Sequence, residues 1–205
     1  MTGPRLTRIT GALAEAQPFR GAALYELARV GHRGLLGEVI RLQGDVATLQ
    51  VYEETSGLEA GEPVTATGSA LTIALGPGLL GSILDGVGRP LTRLAELTGD
   101  FITPGARAPT LDPERKWPFE PLRAVGDTVG GGDVLGTVQE REALVHHVMV
   151  PPGVAGRIAA LERGSFTVHE EIGRLEDGTA LRLAHAWPVR TPRPVGARLG
   201  DDRPL

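Results

Sequence analysis

The sequence predicts a mainly β protein: a small closed β-barrel at the N-terminus, then a second β domain, with few short helices. Three observations predict this. Among 205 residues there are 29 glycines and 16 prolines, so chain reversals are frequent. Short apolar runs patterned at alternate positions recur along most of the chain, separated by turn residues. Helical spacing is rare: Leu79–Leu84 suits a short amphipathic helix, and Leu24, Leu27 and Ala28 could form a helical stripe but lie in a stretch that also alternates.

Leu6–Ile9 reads as a first strand, ended by Gly11. Ala22–Val30, bounded by Gly21 and Gly31, reads as a strand because Ala22, Leu24, Glu26, Ala28 and Val30 alternate. Leu35–Leu42 and Val46–Tyr52 form the clearest hairpin, turning at Gln43-Gly44-Asp45, where glycine supplies the positive φ such turns demand. Ala47, Leu49 and Val51 share one face of its second strand and Thr48 and Gln50 the other, so one face is buried. Val64–Thr67 adds another strand. Closing these strands into a barrel removes the free sheet edges that invite aggregation.

Leu71–Arg93 differs in character: a glycine-proline break at Gly76-Pro77-Gly78 precedes the helical stretch, and Asp85-Gly86 and Gly88-Arg89-Pro90 end it. Thr103–Pro121 reads as loop, with prolines at 104, 109, 113, 118 and 121. Phe119–Ile158 is a glycine-punctuated β unit. Gly126-Asp127 and Gly132-Asp133 each precede alternating apolar residues, and Leu144–Val150 and Val154–Ile158 hinge at Pro151-Pro152-Gly153. Gly164–Val168, Glu171–Leu175 and Leu181–Ala186 follow as strands, with Asp177-Gly178 as a hairpin turn. From Trp187 four prolines make the tail an extended connector.

Composition narrows the function. A net charge of −4 argues against nucleic acid as a partner, since phosphate binding needs a basic surface. The absence of cysteine removes disulfides, thiol catalysis and thiolate metal sites. No run approaches the roughly 20 apolar residues of a membrane span, and no signal-peptide core follows Met1–Ile9; a cytoplasmic location without direct membrane insertion is expected.

Candidate chemistry is sparse. The run Gly130-Gly131-Gly132-Asp133 lacks the lysine and hydroxyl of a phosphate-cradling loop and is acidic where a phosphate would sit, so it reads as a turn. His146 and His147 point to opposite faces of a strand and cannot share one metal ion, and His169 and His185 read as packed or solvated. Ser56 and Ser165 sit in turns without a nucleophile elbow. The pairs Glu53-Glu54 and Asp201-Asp202 read as solvated, not as general acids or bases in a cleft. Trp117 and Trp187, each before a proline, read as loop anchors. No catalytic, cofactor-binding or metal-ligating residue is expected.

The run GDTVGGGDVLGTV and the strands after it resemble a biotinyl or lipoyl carrier domain, a flattened barrel that presents a modified lysine on a hairpin tip. The only lysine, Lys116, precedes the unit, so the expected remainder is the fold alone: a barrel-sandwich hybrid without its cofactor arm. A free-standing β binding module of this kind is one reading of the chain.

The order of motifs resembles the N-terminal portion of the catalytic A subunit of V/A-type rotary ATPases and ATP synthases. The blocks are GLLGEVIRLQGDVATLQVYEETSGLEAGEPV (Gly34 to Val64), LGPGLLGSILDGVGRPL (Leu75 to Leu91), VGDTVGGGDVLGTV (Val125 to Val138), VPPGVAGRI (Val150 to Ile158) and HAWPVRTPRPV (His185 to Val195). The resemblance implies that residues 1–70 form the barrel of the hexamer crown and 71–111 a connecting segment with a short helix. Residues 112–186 are then the bulge, the insertion that engages the peripheral stalk, and 187–205 lead toward a nucleotide-binding domain. It implies B subunits and other A subunits as partners, a place peripheral to the membrane, and a parent subunit that uses ATP or ADP with Mg to couple ATP synthesis or hydrolysis to proton or sodium transport. The family's phosphate-binding loop lies beyond this tail, so the chain is expected to supply scaffold and to bind no nucleotide by itself. Leu71–Leu91 is expected to be a sticky surface causing weak self-association.

Overall fold

The computed structural model describes residues 3–194. Two compact units emerge, Met1–Ile73 with Leu80–Thr110, and Ala74–Leu79 with Leu111–Leu205.

The first unit is built on six strands: β1 (Arg5–Thr10), β2 (Leu13–Gln17), β3 (Glu26–Val30), β4 (Leu35–Gln43), β5 (Val46–Val51) and β6 (Val64–Ala70). Their order is β1-β2-β5-β4-β3-β6, antiparallel throughout. The two ends of that order meet. Val64 N–H donates to the Pro4 carbonyl, Leu6 N–H to Glu62 and Gly61 N–H to Leu6, and Arg5 bridges Pro63, so the sheet closes into a barrel. Its interior holds Leu6, Ala14, Ala16, Phe19, Ala28, Val30, Leu35, Val39, Ala47, Leu49, Val51 and Val64. The alternation in β5 is the one expected from its sequence, with Ala47, Leu49 and Val51 inside.

Two charged groups inside this barrel are satisfied. Glu26 accepts from the amides of Ala23 and Gly68, and Glu38, fully buried, accepts from the Tyr52 hydroxyl at 2.8 Å. Glu26 also explains why Ala22–Val30 is strand only from residue 26. Its carboxylate holds the preceding turn, where Tyr25 takes φ 67°, a conformation no strand contains.

Leu79–Leu84 is not helical. Gly78 and Gly81 take φ 94° and 81°, which breaks any helical path through the segment. The helix lies later: α1 (Leu91–Thr98) starts behind Pro90 and ends at Gly99 with φ 73°, burying Leu94. The strand β7 (Thr72–Leu75) precedes it.

The second unit contains β8 (Trp117–Pro121), β9 (Thr128–Val129), β10 (Val134–Arg141), β11 (Leu144–Met149), β12 (Gly156–Leu161), β13 (Gly164–Phe166), β14 (Glu171–Leu175), β15 (Ala180–Arg182) and β16 (His185–Pro188). Two four-stranded sheets, β11-β10-β8-β13 and β15-β14-β12-β9, enclose one core. Phe119, Leu135, Val138 and Val148 come from the first sheet, and Val129, Ile158, Ile172, Leu175 and Leu181 from the second. This is the barrel-sandwich arrangement.

The reading of Thr103–Pro121 as loop fails at its end, where β8 runs through Pro118 and Pro121. Each proline falls where the strand has one paired neighbour: Pro118 faces only β13 and Pro121 only β10. The missing amides therefore cost the ladder little. Gly136 on β10 is equally specific. A Cβ there would meet the Glu120 carbonyl and come within 2.5 Å of the Phe119 ring.

Candidate functional site

The glycine-rich turn of the second unit is the natural place for phosphate chemistry, yet three of its four backbone donors are already bonded. Gly130 N–H donates to Asp133 Oδ2 at 2.8 Å, Gly132 N–H to the Val150 carbonyl at 2.9 Å, and Asp133 N–H back to Gly130. A nucleotide phosphate needs convergent free amides and a cation. Three of these amides are bonded, and the side chain among them is a carboxylate 3.9 Å from Arg123, so the turn does not present the convergent free donors that an ATP or ADP phosphate needs. Among the described residues, no three histidine, aspartate or glutamate side chains are grouped to hold a metal ion.

The histidines are distributed as strand geometry demands. His146 is half-buried and His147 exposed on β11, and His169 is exposed on a turn. His185 on β16 has its Nε2 at 3.2 Å from an Arg193 guanidinium nitrogen. Folding brings His146 within electrostatic reach of His185, 39 positions away, and Glu140 within reach of His146. Burial holds the His146 imidazole below its ordinary range, with the Glu140 charge opposing and His147 assisting. Burial, Arg193 and His146 do the same to His185. Glu140 accepts from Gly78 N–H through Oε1, while its Oε2 is buried without a hydrogen-bond partner.

Ser56 shapes its turn by donating to Glu54 at 2.7 Å, and Ser165 faces Pro118 across the β8–β13 pair. Trp117 is buried, with the Arg115 guanidinium 3.9 Å above its ring; Trp187 donates from Nε1 to the Thr191 carbonyl under Arg193. Both tryptophans anchor local chain. Lys116 is exposed just before β8, not on the Gly130–Asp133 turn. Asp201-Asp202 lie outside the described residues.

Glu53 corrects the expectation of an acidic pair in solvent. Only Glu54 is exposed. Glu53, 8% exposed, accepts from Leu36 N–H at 2.9 Å and Gly105 N–H at 2.7 Å, and lies 3.6 Å from Arg89. Arg89 in turn donates to Asp85 at 2.7 Å and to the Ala106 carbonyl at 2.8 Å. This network ties β4 and the 103–107 loop to the turn that precedes α1, all within the first unit. Its signal in the sequence is the compact Asp85-Gly86-Val87-Gly88-Arg89-Pro90 run, whose residue types suggest a helix end and conceal the ion pair.

Leu80, Ile83, Leu91, Leu97, Phe101 and Ile102 are all exposed, Ile83 at 70% and Phe101 at 86%. Large exposed apolar side chains concentrated in one 23-residue stretch mark an assembly surface more readily than a catalytic one. Among the described residues no helix is long and apolar enough to cross a membrane.

Comparison with known proteins agrees with this geometry. Residues 6–68 match the ATP synthase alpha/beta family, beta-barrel domain, and residues 108–190 match the ATPsynthase alpha/beta subunit barrel-sandwich domain. The chain is 49% identical over 206 aligned residues to the A subunit of the A-type ATP synthase of Desulfurococcus sp. (strain SY), covering 98% of this chain and 35% of that one. It is 50% identical to the A subunit of the A-type ATP synthase of Thermococcus kodakarensis, with the same coverage. To the V-type ATP synthase alpha chain of Anaeromyxobacter dehalogenans (strain 2CP-C) it is 52% identical over 200 residues, 98% of this chain and 34% of that one. The chain thus spans about a third of the length of these curated relatives.

Proposed function

The chain belongs to the ATP synthase alpha/beta family, in the group of A subunits from A-type and V-type enzymes, and from that premise we propose that it is the barrel and bulge scaffold of a rotary A/V-type ATP synthase or ATPase. In this reading the parent subunit couples ATP synthesis or hydrolysis to proton or sodium translocation, and ATP or ADP with Mg is bound by residues other than these 205. The first unit packs against B subunits and other A subunits in the hexamer. The second unit engages the peripheral stalk. The assembly sits in the cytoplasm, peripheral to the membrane.

The observation that supports the scaffold role is the Gly130–Asp133 turn: in this glycine run the Gly130, Gly132 and Asp133 amides are already bonded and the side chain among them is a carboxylate. The exposed apolar residues between Leu80 and Ile102 support the assembly role. Calorimetric titration of the purified chain with Mg-ATP tests the first point. The expected result is no binding; micromolar affinity would overturn the scaffold reading.

A further inference from the structure

The first unit contains a pocket of about 220 Å³ whose rim gathers Arg29, Arg89 and Arg107 around Thr72, Gly88 and Ala106. Three guanidinium groups therefore converge on one concavity. Two carboxylates stand near them, Glu53 and Asp85, and both are committed. Glu53 accepts from two backbone amides and faces Arg89, and Asp85 accepts from Arg89 and from the amides of Val87 and Arg89. Arg89 is thereby consumed by Asp85, Glu53 and the Ala106 carbonyl.

Arg29 and Arg107 are left over. Neither side chain hydrogen-bonds or ion-pairs with a described residue, although both residues line the pocket. The setting of Arg29 is electrostatically unfavourable: burial, then Arg107, lower its proton affinity, Glu53 only partly compensates, and Arg89 adds to the repulsion. Three cations against two carboxylates leave one positive charge without a counter-ion. A guanidinium presents parallel N–H groups that match oxyanion geometry, and two of them make a clamp. A water occupies about 30 Å³ of liquid, so the pocket has room for an anion of several heavy atoms.

We propose that Arg29 and Arg107 form an oxyanion-binding site in this pocket, one that takes a phosphate or a carboxylate. The site lies wholly within the first unit. Its occupant would neutralise the Arg29–Arg107 repulsion and brace β3 against the 106–108 segment.

Titration of the 205-residue chain with inorganic phosphate, and separately with acetate, at constant ionic strength in chloride tests this. Saturable binding of at least one of them is expected, weakened about tenfold or more by Arg107→Gln, consistent with loss of a charged hydrogen bond. Arg107→Lys should restore part of it. Arg107 is exposed, so its variants report binding without disturbing the fold; Arg29→Gln, checked by circular dichroism, should act in the same direction. Tighter phosphate binding identifies free phosphate as the source and tighter acetate binding a carboxylate. Saturation by neither anion, or affinity unchanged in Arg107→Gln, would overturn the site.

Discussion

Arg89 and Asp85 close a turn on themselves: the guanidinium Nε donates to Asp85 Oδ2 at 2.7 Å while Asp85 Oδ1 accepts the Val87 and Arg89 amides. One carboxylate thus organises five residues, and the turn delivers Pro90 to the start of α1. Burial works against the Asp85 charge, but the Arg89 amide, the Arg89 side chain and the Val87 amide outweigh it and hold this carboxyl below its ordinary 3.8. Its stabilising contribution is therefore present above pH 3.8 and is lost as pH falls through the lower folded value. Asp85→Ala should cost about 1–3 kcal/mol in urea unfolding near neutral pH, because two amides and a guanidinium lose their acceptor. Asp85→Asn should cost less, and an unchanged midpoint in Asp85→Ala would contradict the assigned role.

Glu53 and Glu54 are adjacent in sequence and opposite in consequence. Glu53→Ala leaves the Leu36 and Gly105 amides unbonded and Arg89 without its second carboxylate. A loss of about 2–4 kcal/mol is expected. Glu54 touches only its own turn through Ser56, so Glu54→Ala should leave the denaturation midpoint unchanged. Equal effects of the two substitutions would show that Glu53 does not tie β4 to the 103–107 loop.

Gly136→Ala probes the β8–β10 contact. The added methyl collides with the Glu120 carbonyl and the Phe119 ring, and backbone cannot yield as a side-chain tip can. Destabilisation of about 1–3 kcal/mol or more is expected, read as a lowered thermal midpoint. Gly44→Ala is a contrasting case. Its Cβ meets nothing within 4 Å, and the cost should come only from φ 64°, about 1 kcal/mol.

Stability should fall on mild acidification. His146 and His185 are both held below their ordinary 6.5, chiefly by burial, so the unfolded chain binds more protons than the folded one as pH drops through that value. The contribution is level above 6.5, falls below it, and is fully lost once pH passes the lower folded values. Thermal midpoints between pH 5 and 8 measure this. The double variant His146→Gln with His185→Gln should flatten the dependence in that range; an unaltered slope would assign it elsewhere.

The exposed apolar stretch predicts weak self-association. Sedimentation velocity should show concentration-dependent mass for the chain, reduced by Phe101→Ser with Ile83→Ser, since those side chains are 86% and 70% exposed. A monomer across a wide concentration range would remove the argument for an assembly surface there.

Much of the fold is legible because strands announce themselves locally. The Leu35–Gln43 and Val46–Val51 hairpin follows from a glycine turn and alternating residues, and the structure reproduces it almost residue for residue. β2 is silent in the sequence because its buried face is Ala14 and Ala16, small residues that make no hydrophobic stripe yet are sealed inside the barrel. The helix lies one segment later than its periodicity suggests. Leu79–Leu84 has helical spacing, but Gly78 and Gly81 adopt left-handed conformations that only the surrounding chain specifies.

By itself the sequence determined the mainly β class, the principal turns and the membership in the ATP synthase alpha/beta family. Those depend on residue types, their spacing and their collinear order, all local or linear properties. Tertiary structure alone decided that the Glu53 side chain is buried while Glu54 is exposed, that His146 lies near both Glu140 and His185, and that Arg29 and Arg107 line one pocket. The physical reason is common to all three: the free energy of a charge depends on its solvation and neighbours. Those neighbours come from strands and loops tens of residues apart, which only closure of the barrel and pairing of the sheets bring together.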